Sequence, residues 1–340
     1  MNKKTILIGL MVCLMLTVSA CGKKSGASTG GAPTTPFIGG TQGVTMEFEK
    51  DSPPPEVTDD ATFAFNIIVK LKNEGETKVE MQNIKLKVEG FDPADFGVND
   101  FNELRNIEPD SELESKKRDA EGNIIDGTTT FATFPGNSQF FEPTRFMGNT
   151  EFPIRAKACY LYETQSNTKL CGLRDMINIR DNAICRPTES KTVYSSSGPV
   201  QVQGFRQSVV GRDKISFSFD IVLSNSVDIF WSRDENTPSQ GFDLACPEDP
   251  RTRREVENNV KVEITEVPVD PLFSNLKCGG LDNLNVGVVK LVNGRRTITC
   301  TVELVPDRND FEKVVGINLK YNVLDSEDTR ILVKHLADAP

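Results

Sequence analysis

The sequence predicts an all-β protein built as β-sandwiches in tandem, on three observations. Apolar residues alternate with polar ones along twelve or more short segments, hardly any long amphipathic helix lies between them, and one alternating segment recurs farther down the chain. Period-two patterning makes one face of a strand apolar, and strands without intervening helices bury those faces against each other. At 340 residues, 37% hydrophobic and 26% charged, the chain has the length for two such bodies and the balance of a folded one.

Residues 1–20 precede that body as a signal segment. Lys3 and Lys4 form a charged start, an apolar run extends from Ile6 through Leu16, and Val18, Ser19 and Ala20 stand directly before Cys21. The run is too short to span a bilayer comfortably. Val18-Ser19-Ala20-Cys21 resembles the lipobox of prokaryotic lipoproteins. The resemblance implies that the Cys21 sulfur receives a diacylglyceryl group and becomes the mature N-terminus. The expected localisation is export with lipid anchoring on the outer face of the cell membrane. Losing residues 1–20 removes two lysines and no acid, so the formal charge of −10 becomes −12.

Residues 21–42 are the expected tether. Gly22 to Gly40 is rich in Gly, Ser, Thr, Ala and Pro, with Lys23 and Lys24 its only charges, a composition that buries no core. About twenty such residues span on the order of 25 Å, which keeps the body close to the headgroups. Gly26-Ala27-Ser28-Thr29-Gly30 matches the serine-hydrolase pattern G-x-S-x-G in letters alone, because that chemistry needs a strand before the serine and a helix after it.

A first sandwich domain is expected over 43–197. Val44, Met46 and Phe48 alternate until Pro53-Pro54-Pro55, and Phe63, Phe65, Ile67, Val69 and Leu71 alternate up to an Asn73-Glu74-Gly75 turn. Val79 to Val88, Thr128 to Phe134 and Glu151 to Thr164 continue the pattern. The segment 91–126 is long, charged and poor in alternation. Long loops on rigid sandwiches carry recognition, so it is the expected interaction surface of this half, with simple disorder explaining the composition equally well.

Ser195-Ser196-Ser197-Gly198-Pro199 supplies a boundary to a second domain over 198–340. Its expected strands are Pro199 to Val210, Lys214 to Ser224, Val227 to Trp231, Val260 to Val267, Val286 to Val292, Arg296 to Leu304, Lys313 to Val323 and Arg330 to Leu336, with Asn293-Gly294 a hairpin turn. Setting Asn73 on Asn225 aligns Phe65, Ile67, Val69 and Leu71 with Phe217, Phe219, Ile221 and Leu223, 152 residues apart.

The alternating strand from Phe65 followed by Asn73-Glu74-Gly75 resembles the strand and turn of CARDB-like and other immunoglobulin-like modules on prokaryotic cell surfaces. With the lipobox, the short tether, Cys159-Tyr160-Leu161-Tyr162-Glu163-Thr164 and a second sandwich, the whole resembles archaeal-type cell-surface lipoproteins. In the second half Asn225 is followed by Ser226-Val227 without the matching glycine. The resemblance implies two immunoglobulin-like β-sandwiches in tandem and a non-enzymatic role in binding, adhesion or envelope structure. The implied partners are the membrane, through the anchor, and a protein or glycan at the cell surface.

Composition narrows the chemistry. With 39 Lys and Arg against 49 Asp and Glu there is no basic surplus for a phosphate backbone, so nucleic acid is not expected. His335 is the sole histidine, which removes multi-histidine metal sites and makes any histidine-based dyad rest on one residue. It is expected on the face of a terminal strand. No nucleophile partners it, and no catalytic residue, metal ligand or cofactor is assigned. Beyond Cys13 and Cys21, Cys159, Cys171, Cys185, Cys246, Cys278 and Cys300 form an even set in an exported chain, the pattern of disulfides. Three fall in each half, so either one bridge crosses between the halves or each keeps a free thiol.

Asp92, Asp95 and Asp100, the Asp119–Asn123 turn, and Asp307, Asp310 and Glu312 offer oxygens for calcium. Ile124 stands where an EF-hand loop requires glycine, and solvated turns are the plainer reading. Arg251-Thr252-Arg253-Arg254 reads as a solvated basic loop. No Asn-x-Ser/Thr sequon is present. The alternative function is a solute-binding or polysaccharide-processing lipoprotein with its site at the domain junction, where Trp231, Tyr160 and Tyr162 would stack on sugars. A structural component assembling through edge strands is the third reading, and the oligomeric state stays open.

Overall fold

The computed structural model describes residues 35–61, 63–137, 139–232, 241–282 and 284–336; the expected signal segment, Cys21 and the first part of the expected tether lie outside them. Its first nine strands are β1 (Val44–Phe48), β2 (Glu56–Thr58), β3 (Ile67–Asn73), β4 (Ile84–Glu89), β5 (Lys117–Arg118), β6 (Ile124–Ile125), β7 (Thr129–Phe134), β8 (Thr150–Gly172) and β9 (Tyr194–Ser195). They are followed by β10 (Val200–Gly211), β11 (Lys214–Leu223), β12 (Asp228–Phe230), β13 (Asn259–Thr265), β14 (Phe273–Gly279), β15 (Val286–Lys290), β16 (Arg295–Leu304) and β17 (Phe311–Lys334). A short helix α1 (Pro250–Val256) separates β12 from β13. With 49% strand and 6% helix the protein is all-β, as its periodicity predicts.

Three sheets carry the architecture. β1-β3-β7 and β10-β11-β16-β14 are the smaller ones, and β15-β13-β17-β8-β4 is the spine of the largest, joined at its margins by β2, β9 and β12. The segments aligned by sequence sit in corresponding places: β3 lies between β1 and β7, and β11 between β10 and β16. Both alternate buried and half-buried positions, with Ile67, Val69 and Leu71 in one and Phe217, Phe219 and Ile221 in the other turned inward.

The organising element is the pair of long strands. β8 and β17 run antiparallel from Phe311 opposite Gly172 to Val333 opposite Thr150, 23 unbroken positions and about 75 Å at ~3.3 Å per residue. β4 and β2 flank the Thr150 end, whereas β13 and β9 flank the Gly172 end. The three-stranded sheet meets the first stretch, where Tyr160 Oη donates to the Val44 carbonyl at 3.3 Å. The four-stranded sheet meets the second, where the Phe273 and Phe311 rings lie edge to face at 5.6 Å. One continuous buried core joins the two.

Gly198 therefore divides the chain without dividing the sheets, and the segment around it is no open linker. Ser196, Ser197, Gly198 and Pro199 are buried. Tyr162 Oη donates to the Ser197 carbonyl at 2.9 Å, and a side chain at Gly198 would collide with Thr164 and Tyr162. The small residues permit close packing here, not mobility.

The expected gap between Lys313–Val323 and Arg330–Leu336 is filled by strand. Asp325-Ser326-Glu327-Asp328 reads as a turn by hydropathy, yet Ser326 lies opposite Lys157 and Asp328 opposite Arg155, whose guanidinium holds Asp328 at 2.6 and 2.8 Å. Opposite charges across a ladder sustain it where apolar alternation stops. β8 likewise runs on through Cys171. β14 escapes prediction because a bulge between Ser274 and Lys277 breaks its period.

The basic run is helical rather than a loop. Asp249 accepts from Thr252 N at 2.9 Å as N-cap and Pro250 opens α1, the usual start signature. Arg253 pairs with Asp228 at 2.9 Å and lies over the Phe230 ring.

All six cysteines pair. Cys171–Cys185 and Cys278–Cys300 close loops of 14 and 22 residues, and Cys159–Cys246 spans 87, so one bridge crosses between the halves. Cys159 points to the outer face of the large sheet, into a satellite core with Phe230, Phe242, Ala245, Cys246 and Leu324. Around it Lys157 pairs with Glu89 at 2.5 Å and Glu248 at 2.7 Å, and Lys87 contacts the same two carboxylates. Burial alone would raise both glutamates; the Lys157 and Lys87 hydrogen bonds outweigh it and hold them below their ordinary value.

Candidate binding surfaces

At the Thr150 end of β8 four segments are knitted into one platform. Phe65 and Phe141 exchange backbone hydrogen bonds at 3.0 and 2.8 Å, Glu142 N donates to Phe96 O at 2.9 Å, Thr144 N to Asp95 O at 2.8 Å, and Gly136 N to Glu103 O at 2.9 Å. Beneath them Phe65, Phe91, Phe96, Phe141, Phe146 and Phe152 form an aromatic floor with neighbouring ring centroids 5.0 to 6.2 Å apart, mostly edge to face. This floor takes up six of the 20 phenylalanines. In the segments that meet here Phe101 is 56% exposed and Phe140 54%, with Phe63 and Met147 also open to solvent. Large apolar side chains held outward on a rigid base are the features of an interaction surface.

The 91–126 segment is ordered into this wall. Two single 3-10 turns, Pro93–Phe96 and Phe101–Leu104, bury Phe96 and Leu104. Ile107 then bridges to Leu86 on β4, and Asp110 N donates to Phe131 O on β7 at 2.8 Å. The segment thus crosses from the β4 edge of one sheet to the β7 edge of another. Disorder is excluded for it, and Phe101 is its contribution to the surface.

The same end is clasped by the buried carboxylate of Asp59. It accepts from Leu336 N at 2.9 Å, from Phe146 N at 3.0 Å, and sits 2.7 Å from His335 Nδ1. His335 lies just past the end of β17 rather than on the strand face. The Leu336 N–H and then His335 hold the Asp59 carboxyl down at about 2 against an ordinary 3.8. A carboxyl with a lowered folded-state pKa contributes stability above its unfolded value and loses it as pH falls through the folded one. Denaturant midpoints measured from pH 4 to pH 2 should therefore fall more steeply in the parent than in Asp59→Asn, which should also be less stable at pH 7. Parallel acid limbs would show that Asp59 carries no linkage.

The seam between the two stretches of β8 is solid. Tyr162 and Tyr321 are buried with ring centroids 6.2 Å apart, and Thr164 Oγ1 lies 2.7 Å from Tyr321 Oη, which accepts from Val200 N at 3.3 Å. Burial pushes the phenols of Tyr160, Tyr162 and Tyr321 up, so they remain protonated. Trp231 is 2% exposed. Tyr160, Tyr162 and Trp231 therefore offer no ring for sugar stacking, and the residues chosen for a junction site serve the core.

Beyond the Gly172 end lies a polar groove of about 820 Å³ lined by Arg174, Arg180, Arg212, Asp175, Asp307 and Asp310, among others. Beneath it Arg308, with its side chain fully buried, donates to the carbonyls of Leu173, Val305 and Arg212 at 2.8 Å each and pairs with Asp213 at 2.7 Å. Three arginines face four aspartates in the lining, and the fourth, Asp213, is paired with Arg308 beneath, so no ligand of one sign is indicated. Asp175 there is held down at about 2 by backbone and side-chain hydrogen bonds from Asn178.

In the acidic clusters Asp92, Asp100 and Asp119 cap local turns, while Asp310 reaches a distant backbone amide. Asp92 accepts from Ala94 N, Asp100 from Asn102 N, Asp310 from Arg174 N, and Asp119 from Glu121 N and from Asn123 N and Nδ2. Among the described residues no group of three or more Asp, Glu, His or Cys is arranged to hold a metal ion. No protein-family model matches this chain, and a search of the curated proteins returns no match.

Proposed function

We propose that the protein is an exported lipoprotein, anchored through Cys21 to the outer face of the membrane, whose two immunoglobulin-like sandwich units, expected over 43–197 and 198–340 and sharing the β8–β17 ladder, serve binding rather than catalysis. The observation that carries the reading is the Phe-floored end of the body, whose segments leave Phe63, Phe101, Phe140 and Met147 exposed. Three disulfides support an oxidising, extracellular setting. Among the described residues, no helix is long and apolar enough to cross a membrane. The occupant of the platform is a surface protein with an apolar contact patch, since exposed aromatics release most free energy against other apolar side chains.

The test places a photoreactive phenylalanine at Phe101 or Phe140 in the anchored protein on cells, with Val292, an exposed site in the other half, as control. Discrete protein adducts from 101 and 140 but not from 292 are expected. No adduct, or the same adducts from all three sites, would sink the proposal.

A further inference from the structure

The end whose segments carry Phe63, Phe101, Phe140 and Met147 also gathers negative charge. Residues 59–64, 91–104 and 136–149 contain seven carboxylates against one basic residue, Arg145, a net of −6 where the whole chain carries −10. Exposed apolar side chains elsewhere have a different setting. Val292 is preceded by Lys290 and followed by Arg295 and Arg296, and Ile184 lies among Arg180, Asp181 and Arg186.

The backbone draws these carboxylates together. Ala61 N donates to the Pro143 carbonyl at 2.8 Å, which sets Asp60 beside the Glu142 segment, and Glu142 N and Thr144 N reach Phe96 and Asp95. Asp92 and Asp100 cap the two 3-10 turns, accepting from Ala94 N and Asn102 N, and the second turn begins with Phe101. Glu103 of that turn is 8% exposed; one of its oxygens accepts from Gln139 Nε2 at 2.9 Å, tying the turn of Phe101 to the segment of Phe140. Its other oxygen has no hydrogen-bond partner among the described residues. Asp59 is engaged by His335. Among the described residues no lysine or arginine lies within ion-pair distance of the other six.

Asp60, Asp92, Asp100 and Glu142 are exposed and Asp95 is half-buried. Uncancelled charges of one sign around an apolar contact area raise a field that selects the partner's charge and hastens encounter, whereas buried aromatic area supplies the affinity. Resting on the binding reading of this end, we propose that its partner is a protein segment whose apolar contact residues are interspersed with lysine and arginine. The apolar residues meet the exposed phenylalanines and the cations meet the surrounding carboxylates. A segment equally apolar but acidic is refused by like-charge repulsion.

An acidic body attracts cations everywhere, so the experiment separates this end from that background. Three fluorescent peptides of one length and pattern, built of leucine and lysine, leucine and glutamate, or serine and lysine, are titrated with the protein and followed by anisotropy. The leucine–lysine peptide is expected to bind about tenfold tighter than either of the others. Its binding should weaken as ionic strength rises from about 0.1 M to 1 M, where screening shortens from about 10 Å to 3 Å. The triple variant Asp92→Asn, Asp100→Asn and Glu142→Gln should lose about fivefold or more in affinity; asparagine keeps an oxygen for each turn cap. Neutralising three exposed carboxylates elsewhere, as Glu121→Gln, Asp181→Asn and Glu255→Gln, should leave the affinity unchanged. Equal loss from both triples, or equal affinity for the serine–lysine peptide, would reduce the effect to diffuse charge and overturn the inference. Equal affinity for both leucine peptides, lost on Phe101→Ser with Phe140→Ser, would overturn the charge selection and leave the binding surface standing. Binding of neither leucine peptide would count against the surface itself.

Discussion

Loss of the Cys159–Cys246 bridge, as Cys159→Ala with Cys246→Ala, is expected to lower stability by about 4–5 kcal/mol, the largest effect of the three disulfides. Closing 87 residues removes more unfolded-state freedom than closing 14 or 22; chain entropy assigns about 3 kcal/mol to each shorter loop. The bridge also has little substitute. Apart from the small satellite core, the 241–257 segment is held to the first half by Phe242 N donating to Asn106 Oδ1 at 3.1 Å, by the buried Lys87, which also lies over the Phe242 ring, and by Arg105–Asp243 at 2.5 Å and the Lys157 contacts, of which the partly exposed pairs are worth at most about 1 kcal/mol each. Denaturant unfolding of the three double variants measures the order. A cost at Cys171–Cys185 equal to or above that at Cys159–Cys246 would refute it. Hydrogen exchange should show 241–257 opening ahead of β8 in the variant.

Arg308→Met is expected to cost about 3–5 kcal/mol, because each buried carbonyl left without its donor costs about 1–3 kcal/mol, whereas the Asp213 carboxylate, 38% exposed, regains solvent. Its guanidinium meets three carbonyls and Asp213 at once. Methionine fills the volume but leaves the carbonyls of Leu173, Val305 and Arg212 without that donor. Arg308→Lys should recover less than half of the loss, because an ammonium presents three donors from one point and cannot span the fork. Full rescue by lysine would mean that charge alone matters there. Unfolding in denaturant reads both variants, and exchange of amides in 173–183 and 305–310 shows whether the groove walls loosen first.

Much of the strand inventory was readable because a half-buried antiparallel strand writes its two faces directly into the sequence. Phe65 through Leu71 and Phe217 through Leu223 show this, and both became interior strands. Signals failed where another interaction replaced burial. Asp325 to Asp328 continue the ladder opposite Ala158 to Arg155, with one cross-strand ion pair at Asp328, β14 is bulged, and Arg251 to Arg254 are helical through the Asp249-Pro250 start. The proposed surface is half visible in the sequence: 91–126 stands out by its length and charge, Phe140 comes from a segment with no distinguishing pattern, and Phe63, which the alternation places inward, lies before the strand begins at Ile67 and is exposed. They matter because the Phe65–Phe141 bridge brings them to one end.

The sequence by itself determined the all-β class, the even cysteine set beyond Cys13 and Cys21, and the limit of one histidine. These follow from local periodicity, from counting, and from residue chemistry that needs no neighbour. The tertiary structure decided which cysteines pair, that Ser196 to Pro199 is packed rather than free, and that Tyr160, Tyr162 and Trp231 are interior. It also decided that two strands from opposite halves of the chain share one 23-position ladder. Each of these depends on which distant segment arrives on the other side, and a one-dimensional pattern records the need for a partner without recording its identity.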